Sequence, residues 1–181
     1  LLAPAMNVNM FTNPVTQENL QALRKRGVFT VGPEKGELAC GWEGEGRMAE
    51  VNKIFNFIKS ILVPKDLKKE KILVTAGPTQ EPIDPVRVIT NRSSGKMGYA
   101  LAQAAQIRGG DVTLITGSTC LPPPPGVRLI PVQTASQMFE ESIKRYKSMD
   151  IVIMAAAVSD FRPAQPFLKK IKKSKESLTI S

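Results

Sequence analysis

Four short apolar runs constrain the fold more than any other feature of the chain. They are "KILVTAG" (71–77), "DVTLITG" (111–117), "VRLIPV" (127–132) and "DIVIMAAAV" (150–158). Helical patterns at residues 95–108 and in "ASQMFEESIKRYKSM" (135–149) fall between them. Strands this apolar on successive residues suit a sheet covered on both faces. Their alternation with helices predicts an α/β fold with a parallel sheet. "LPPPPG" (121–126) reads as a stiff surface loop.

The first third of the chain has a different pattern. "LLAPAMN" reads as a buried strand running into a loop, and "VFTVG" as a short strand. "NPVTQENLQALRKRG" is a well-marked helix: Asn13 caps it, Pro14 suits its first turn and Gly27 lies past its end. Residues 32–46 hold five glycines and predict irregular structure. "RMAEVNKIFNFIKSIL" returns to helical period, with Met48, Val51, Ile54, Phe55, Ile58 and Leu62 on one side. The charged stretch at 64–70 is the expected boundary between two domains.

Composition narrows the chemistry. The chain contains no histidine, which excludes histidine-based metal or acid–base sites within it. Two cysteines without a CxxC spacing give no disulfide framework, so a reducing, cytoplasmic setting is expected. No apolar run reaches the roughly 18 residues of a membrane span. The net charge of +9 lies largely in two lysine clusters, at 65–71 and 169–175. It suits anionic small molecules or nucleic acid, but no aromatic RNA-binding pattern or zinc-finger spacing accompanies it.

In a doubly wound sheet, ligands sit beyond the carboxyl ends of the strands. Three stretches are predicted to meet there: "AGPTQEPIDPVR" (76–87), "NRSSGKMG" (91–98) and "AAAVSDFRP" (155–163). A helix N-terminus offers N–H groups and a positive dipole end to an anion. Ser93 and Ser94 add hydroxyls, Gly95 allows close approach and Lys96 adds charge. Neither the phosphate-loop pattern G-x-x-x-x-G-K-[ST] nor G-x-G-x-x-G is present. A plain serine-capped helix is the simpler reading of this stretch taken alone.

Together these stretches, with "KKIKK" (169–173), resemble phosphopantothenate–cysteine ligase. The residues before the break, "PAMNVNMF" (4–11) and "ACGWEGEGRM" (39–48), resemble the tail of phosphopantothenoylcysteine decarboxylase. That order is the order of the bacterial bifunctional coenzyme A biosynthesis family. The resemblance implies a Rossmann-like parallel-sheet synthetase domain preceded by the C-terminal part of a flavodoxin-like flavoprotein decarboxylase domain. It places the decarboxylase part at 1–63, a linker at 64–70 and the ligase part at 71–181.

The same resemblance implies site roles. In the ligase, CTP activates the 4′-phosphopantothenate carboxylate as an acyl-cytidylate, and cysteine displaces CMP. Asn91 contacts the reacting carboxylate and Arg87 binds anion. Gly77, Ala155, Ala156, Ala157 and Asp160 surround the cytidine, and Ser93, Ser94, Gly95 and Lys96 cradle phosphate. Lys170 stabilises charge from a mobile loop. Mg2+ is implied by triphosphate chemistry, with Asp84 and Asp160 as possible neighbours and no readable ligand set. In the decarboxylase, Pro4 and Met6 lie near FMN, Asn7 holds the substrate carboxylate and Cys40 returns a proton. The family's catalytic histidine and most of its flavin site precede the residues present, and the ligase continues beyond them. The chain is therefore expected to be a fragment of a cytoplasmic homo-oligomer that binds neither nucleic acid nor membrane. The competing expectations are a basic nucleic-acid-binding module and a non-catalytic regulatory relative of the flavoproteins.

Overall fold

The computed structural model describes residues 1–39 and 41–172. It divides into two compact units, Leu1–Pro64 and Lys65–Ser181.

In the first unit, a single turn α1 (Val8–Thr12) leads into α2 (Pro14–Lys25). The Asn13 side-chain oxygen accepts the Val15 N–H at 2.9 Å, and Gly27 adopts a left-handed φ of 83°. These are the cap and stop expected from the sequence. The two expected strands at the start do not form. Leu2 and Thr30 pair only as an isolated parallel bridge, with Leu2 N–H bonded to Phe29 and Val31 N–H bonded to Leu2. A strand needs a ladder, and no other described segment extends this one.

The glycine-rich stretch corrects the sequence expectation in the opposite direction. It is a hairpin of β1 (Glu34–Glu37) and β2 (Glu43–Arg47), with Gly36 opposite Gly44. The glycines serve close approach. A Cβ at Gly44 would stand 2.6 Å from a Val8 methyl, and one at Gly46 would overlap the Met6 carbonyl oxygen. The following helix, α3 (Val51–Leu62), starts four residues later than its periodicity predicts, because Arg47 is spent in β2.

The second unit holds β3 (Lys71–Ala76), the short pair β4 (Gln80–Pro82) and β5 (Val88–Thr90), and α4 (Lys96–Ile107). It continues with β6 (Asp111–Thr116), β7 (Arg128–Pro131), α5 (Ala135–Ile143) and β8 (Ile151–Met154). β3, β6, β7 and β8 form one parallel sheet in the order β7-β6-β3-β8. The chain starts in the middle, winds outward on one side, then returns to the other, so the switch point lies between β3 and β8.

The period of two along β3 separates the cores. Ile72, Val74 and Ala76 pack with Tyr99, Ala102 and Ala105 of α4, while Leu73 packs with Ile115 and Met138 on the α5 face. Gly98 lets α4 lie directly on β3, since a Cβ there would overlap that of Ala76. Residues 65–70 form a turn docked on the end of α4. Leu67 joins the core, and Asp66 pairs with Arg108 at 2.5 Å.

Candidate functional site

The carboxyl ends of β3 and β8 open into a site built from backbone. Gly77 follows β3 with a φ of 73°, a left-handed conformation that favours glycine. Its carbonyl accepts the Ala157 N–H at 2.9 Å, and Ala157 in turn accepts from Thr79 N–H at 3.3 Å. Two buried threonines extend this clasp. Thr75 Oγ1 accepts from Ala156 N–H at 3.3 Å, and Thr79 Oγ1 accepts from Ser159 N–H at 2.9 Å. Their hydroxyls satisfy backbone groups that leave the sheet, a duty the sequence does not announce. A threonine at Thr75, in a strand of otherwise apolar residues, is the signal it offers; Thr79 offers none.

The second stretch is tied to the third by one side chain. Asn91 Nδ2 donates to the Val158 carbonyl at 2.8 Å. Thr90 Oγ1 also donates to the Thr79 carbonyl, at 2.7 Å. Ahead of α4, Gly95 takes a φ of 74° and sits against Gly77; a Cβ on it would stand 3.3 Å from the Gly77 Cα. Ser93 and Ser94 hydroxyls accept from the N–H groups of Gly95 and Lys96, at 3.3 and 3.5 Å. The three stretches predicted to meet are therefore in contact. Lys96 and Asp160, in the second and third stretches, are exposed.

The β4–β5 turn carries the charge. Asp84 is buried, and its Oδ1 accepts from the N–H groups of Val86 and Arg87, both at 2.8 Å. Its Oδ2 accepts from Arg87 Nη1 at 2.9 Å and from the Ile171 N–H at 3.1 Å. Burial pushes the Asp84 pKa up. The N–H bonds from Val86, Ile171 and Arg87 and the guanidinium charge outweigh that, and the carboxyl lies below its ordinary value of 3.8. With its oxygens consumed in this way, Asp84 is a poor metal ligand. No group of three or more His, Cys, Asp or Glu side chains able to hold a metal occurs among the described residues. Arg87 is half-buried, and Lys170 is exposed beside Ile171.

Beside this site, a cleft of about 540 Å³ lies beyond the ends of β6 and β7. Gln80, Tyr99, Thr119 and Gln133 are among its polar lining. The Thr119 hydroxyl donates to Tyr99 Oη at 3.0 Å.

In the first unit, Met6 and Asn7 line a separate cleft of about 410 Å³ with Glu37, Leu38, Gly46 and Arg47. Asn7 caps α1, its Oδ1 accepting from the Asn9 N–H at 2.8 Å. Met6 N–H bonds to the Gly46 carbonyl at 2.9 Å, which fixes β2 against the loop at 4–7. Pro4 is buried behind it. Cys40 lies outside the described residues.

Two family models match the chain. Residues 1–63 match the flavoprotein family, and residues 67–181 match the C-terminal domain of DNA/pantothenate metabolism flavoproteins. The coenzyme A biosynthesis bifunctional protein CoaBC of Vibrio cholerae is 49% identical over 180 residues, which is 99% of this chain and 45% of that protein. The protein of the same name from Vibrio vulnificus is 48% identical, over 97% of this chain and 44% of its own length. The chain thus spans less than half the length of these two relatives. Among solved structures, the C-terminal domain of a coenzyme A biosynthesis bifunctional protein CoaBC is 45% identical. It aligns over 61% of this chain and 56% of its own, with a TM-score of 0.54.

Proposed function

Because this chain belongs to the family of bifunctional coenzyme A biosynthesis proteins, a flavoprotein segment followed by a DNA/pantothenate metabolism flavoprotein C-terminal domain, we propose that its second unit binds CTP and joins 4′-phosphopantothenate to cysteine. The observation that carries this reading is the junction of Gly77, Ala157, Asn91 and Gly95 at the switch point of the sheet.

The residues suit the chemistry. Acyl-cytidylate formation brings a carboxylate up to a triphosphate, so positioning and charge neutralisation matter more than a strong base. Ala155, Ala156 and Ala157 keep the wall beside the nucleotide flat, and Gly77 lets it approach the backbone. Asn91 Nδ2 carries two hydrogens; one holds Val158, and the other can donate to the reacting carboxylate without adding charge. The start of α4, with Ser93, Ser94, Gly95 and Lys96, receives phosphate. Arg87 and Lys170 bring positive charge from the turn and from the lysine run. Asp160 lies at the nucleotide's edge.

The described residues do not form a cage for Mg2+. Asp84 is already bonded, and Asp160 is a single exposed carboxylate. This donor set suits a cation carried on the nucleotide phosphates, as Mg2+ commonly is.

The first unit is read as the tail of an FMN-dependent decarboxylase. Its cleft beside Met6 and Asn7 is about 410 Å³, and it offers Asn7 for a substrate carboxylate and the β1–β2 hairpin as a cover. This reading puts Pro4 and Met6 near the flavin and makes Cys40 the proton donor. FMN, where bound, supplies reversible oxidation of the substrate thiol.

The test of the ligase reading is a product assay on the complete protein with 4′-phosphopantothenate and cysteine, CTP and ATP being supplied side by side. CMP and pyrophosphate should form with the cysteine adduct. Equal turnover with ATP, releasing AMP, overturns the cytidine assignment.

A further inference from the structure

Residues 161–172 form no regular secondary structure, yet they are held to the β4–β5 turn at two points. Phe167 N–H bonds to the Ile83 carbonyl at 2.9 Å, and Ile171 N–H bonds to Asp84 Oδ2 at 3.1 Å. The Ile171 carbonyl faces Nη1 and Nη2 of Arg87, each at 3.5 Å. One residue is therefore gripped at both ends, by the carboxylate at its N–H and by the guanidinium at its C=O. The same carboxylate holds the guanidinium at 2.9 Å and closes the turn at Val86 and Arg87. Lys169, Lys170 and Lys172, all exposed, flank the gripped residue.

We propose that Asp84 is a positioning residue, the shared anchor that joins the Arg87 guanidinium to the 167–172 segment so that arginine and lysine face one anion together. The proposal rests on the ligase reading of Arg87 and Lys170. It gives the lysine run a fixed base. A long, flexible lysine stabilises charge best when its backbone is already placed, because less freedom is lost as the contact forms. A carboxylate suits this post better than an amide. It accepts on both oxygens, and all four groups around it are donors.

Asp84→Asn tests that logic. The amide oxygen can still close the turn, but its NH2 group then meets Arg87 Nη1 and the Ile171 N–H, donor against donor. Amide hydrogen exchange at Phe167 should accelerate about ten-fold or more, the scale of one lost hydrogen bond to a charged acceptor. Amides of β3 should keep their protection. In the complete enzyme, kcat for CTP-dependent amide formation should fall by a similar factor while the KM for cysteine stays put.

Ile171→Pro removes the gripped N–H and leaves the 84–87 turn untouched. It should reproduce both effects, and the double variant should be no worse than either single one. Unchanged Phe167 exchange in folded Asp84→Asn overturns the anchor. So does an Ile171→Pro enzyme whose segment is freed but whose turnover is normal. Should Asp84→Asn fail to fold, Ile171→Pro decides alone. Absence of CTP-dependent turnover in the unmodified protein sinks the ligase reading instead, while the exchange comparison still decides the anchor.

Discussion

Within the described residues, the two units bury apolar surface to different extents. In the second, Ile72, Leu73, Val74, Leu114 and Ile115 are each at most 1% exposed, sandwiched between α4 and α5. In the first, the buried apolar side chains described are Pro4, Leu20, Val31 and Ala49. Its helix α3 has a strongly one-sided apolar pattern and no buried residue, leaving Val51, Phe55 and Leu62 more than half exposed. An amphipathic helix draws its stability from the face it buries. A parallel strand carries apolar groups on both faces and is satisfied only in the middle of layers. Sequence periodicity is equally clear in both units, so periodicity reports what an element needs and not whether it has it.

The largest effects should come from testing this difference directly. Leu114→Ala should destabilise the second unit by about 2–5 kcal/mol, since it opens a cavity between sheet and helix. Phe55→Ala should cost the first unit about 0.5 kcal/mol or less, as expected for a half-exposed side chain whose ring meets the Lys59 ammonium at 4.3 Å. Denaturant unfolding followed separately in each unit measures both. A Phe55 penalty as large as that of Leu114 would mean that α3 is buried in solution, and the contrast would collapse.

A matched pair of asparagines sharpens the comparison at the sites. Asn7 caps α1 through its oxygen, an acceptor role that aspartate fills equally well. Asn91 works through its nitrogen, as a donor to Val158. Asn91→Asp puts carboxylate against carbonyl, and on the ligase reading it also sets like charge beside the substrate carboxylate. Amide formation should drop about 10²–10³-fold, the scale of losing one donor to a developing oxyanion. Stability should change by only about 1 kcal/mol. Asn7→Asp should leave the helical circular dichroism signal unchanged. Near-normal ligation by folded Asn91→Asp would remove Asn91 from the site.

The smallest effect is one of pH, and it belongs to the second unit. The Asp84 pKa is depressed in the folded protein, so the stability it contributes is complete above its ordinary value of 3.8 and lost as pH falls through the folded value. Phe167 protection, corrected for intrinsic exchange, should therefore be flat between about pH 5 and 8 and fail only in acid below 3.8. A change in that protection near neutrality would assign the anchor to another group.

Much of this was legible from residues alone. The four strands of the parallel sheet, α4, the start of α5, the Asn13 cap and the meeting of three loops follow from short-range pattern; the β4–β5 pair does not. Apolar period, capping chemistry and the switch-point rule need only neighbours in sequence. Their reach ended at glycine and aspartate. Five glycines in 32–46 predicted a loop, whereas Gly44 and Gly46 belong to a strand pressed against Val8 and Met6. Asp84 could be read only as a possible neighbour of a metal. In the fold it is a buried acceptor for a backbone N–H 87 residues away. A side chain's type fixes what it can bond, and local pattern fixes the element it sits in. Which donor stands opposite a carboxylate, and which backbone crosses a glycine, depend on segments distant in sequence that only the packed sheet brings together.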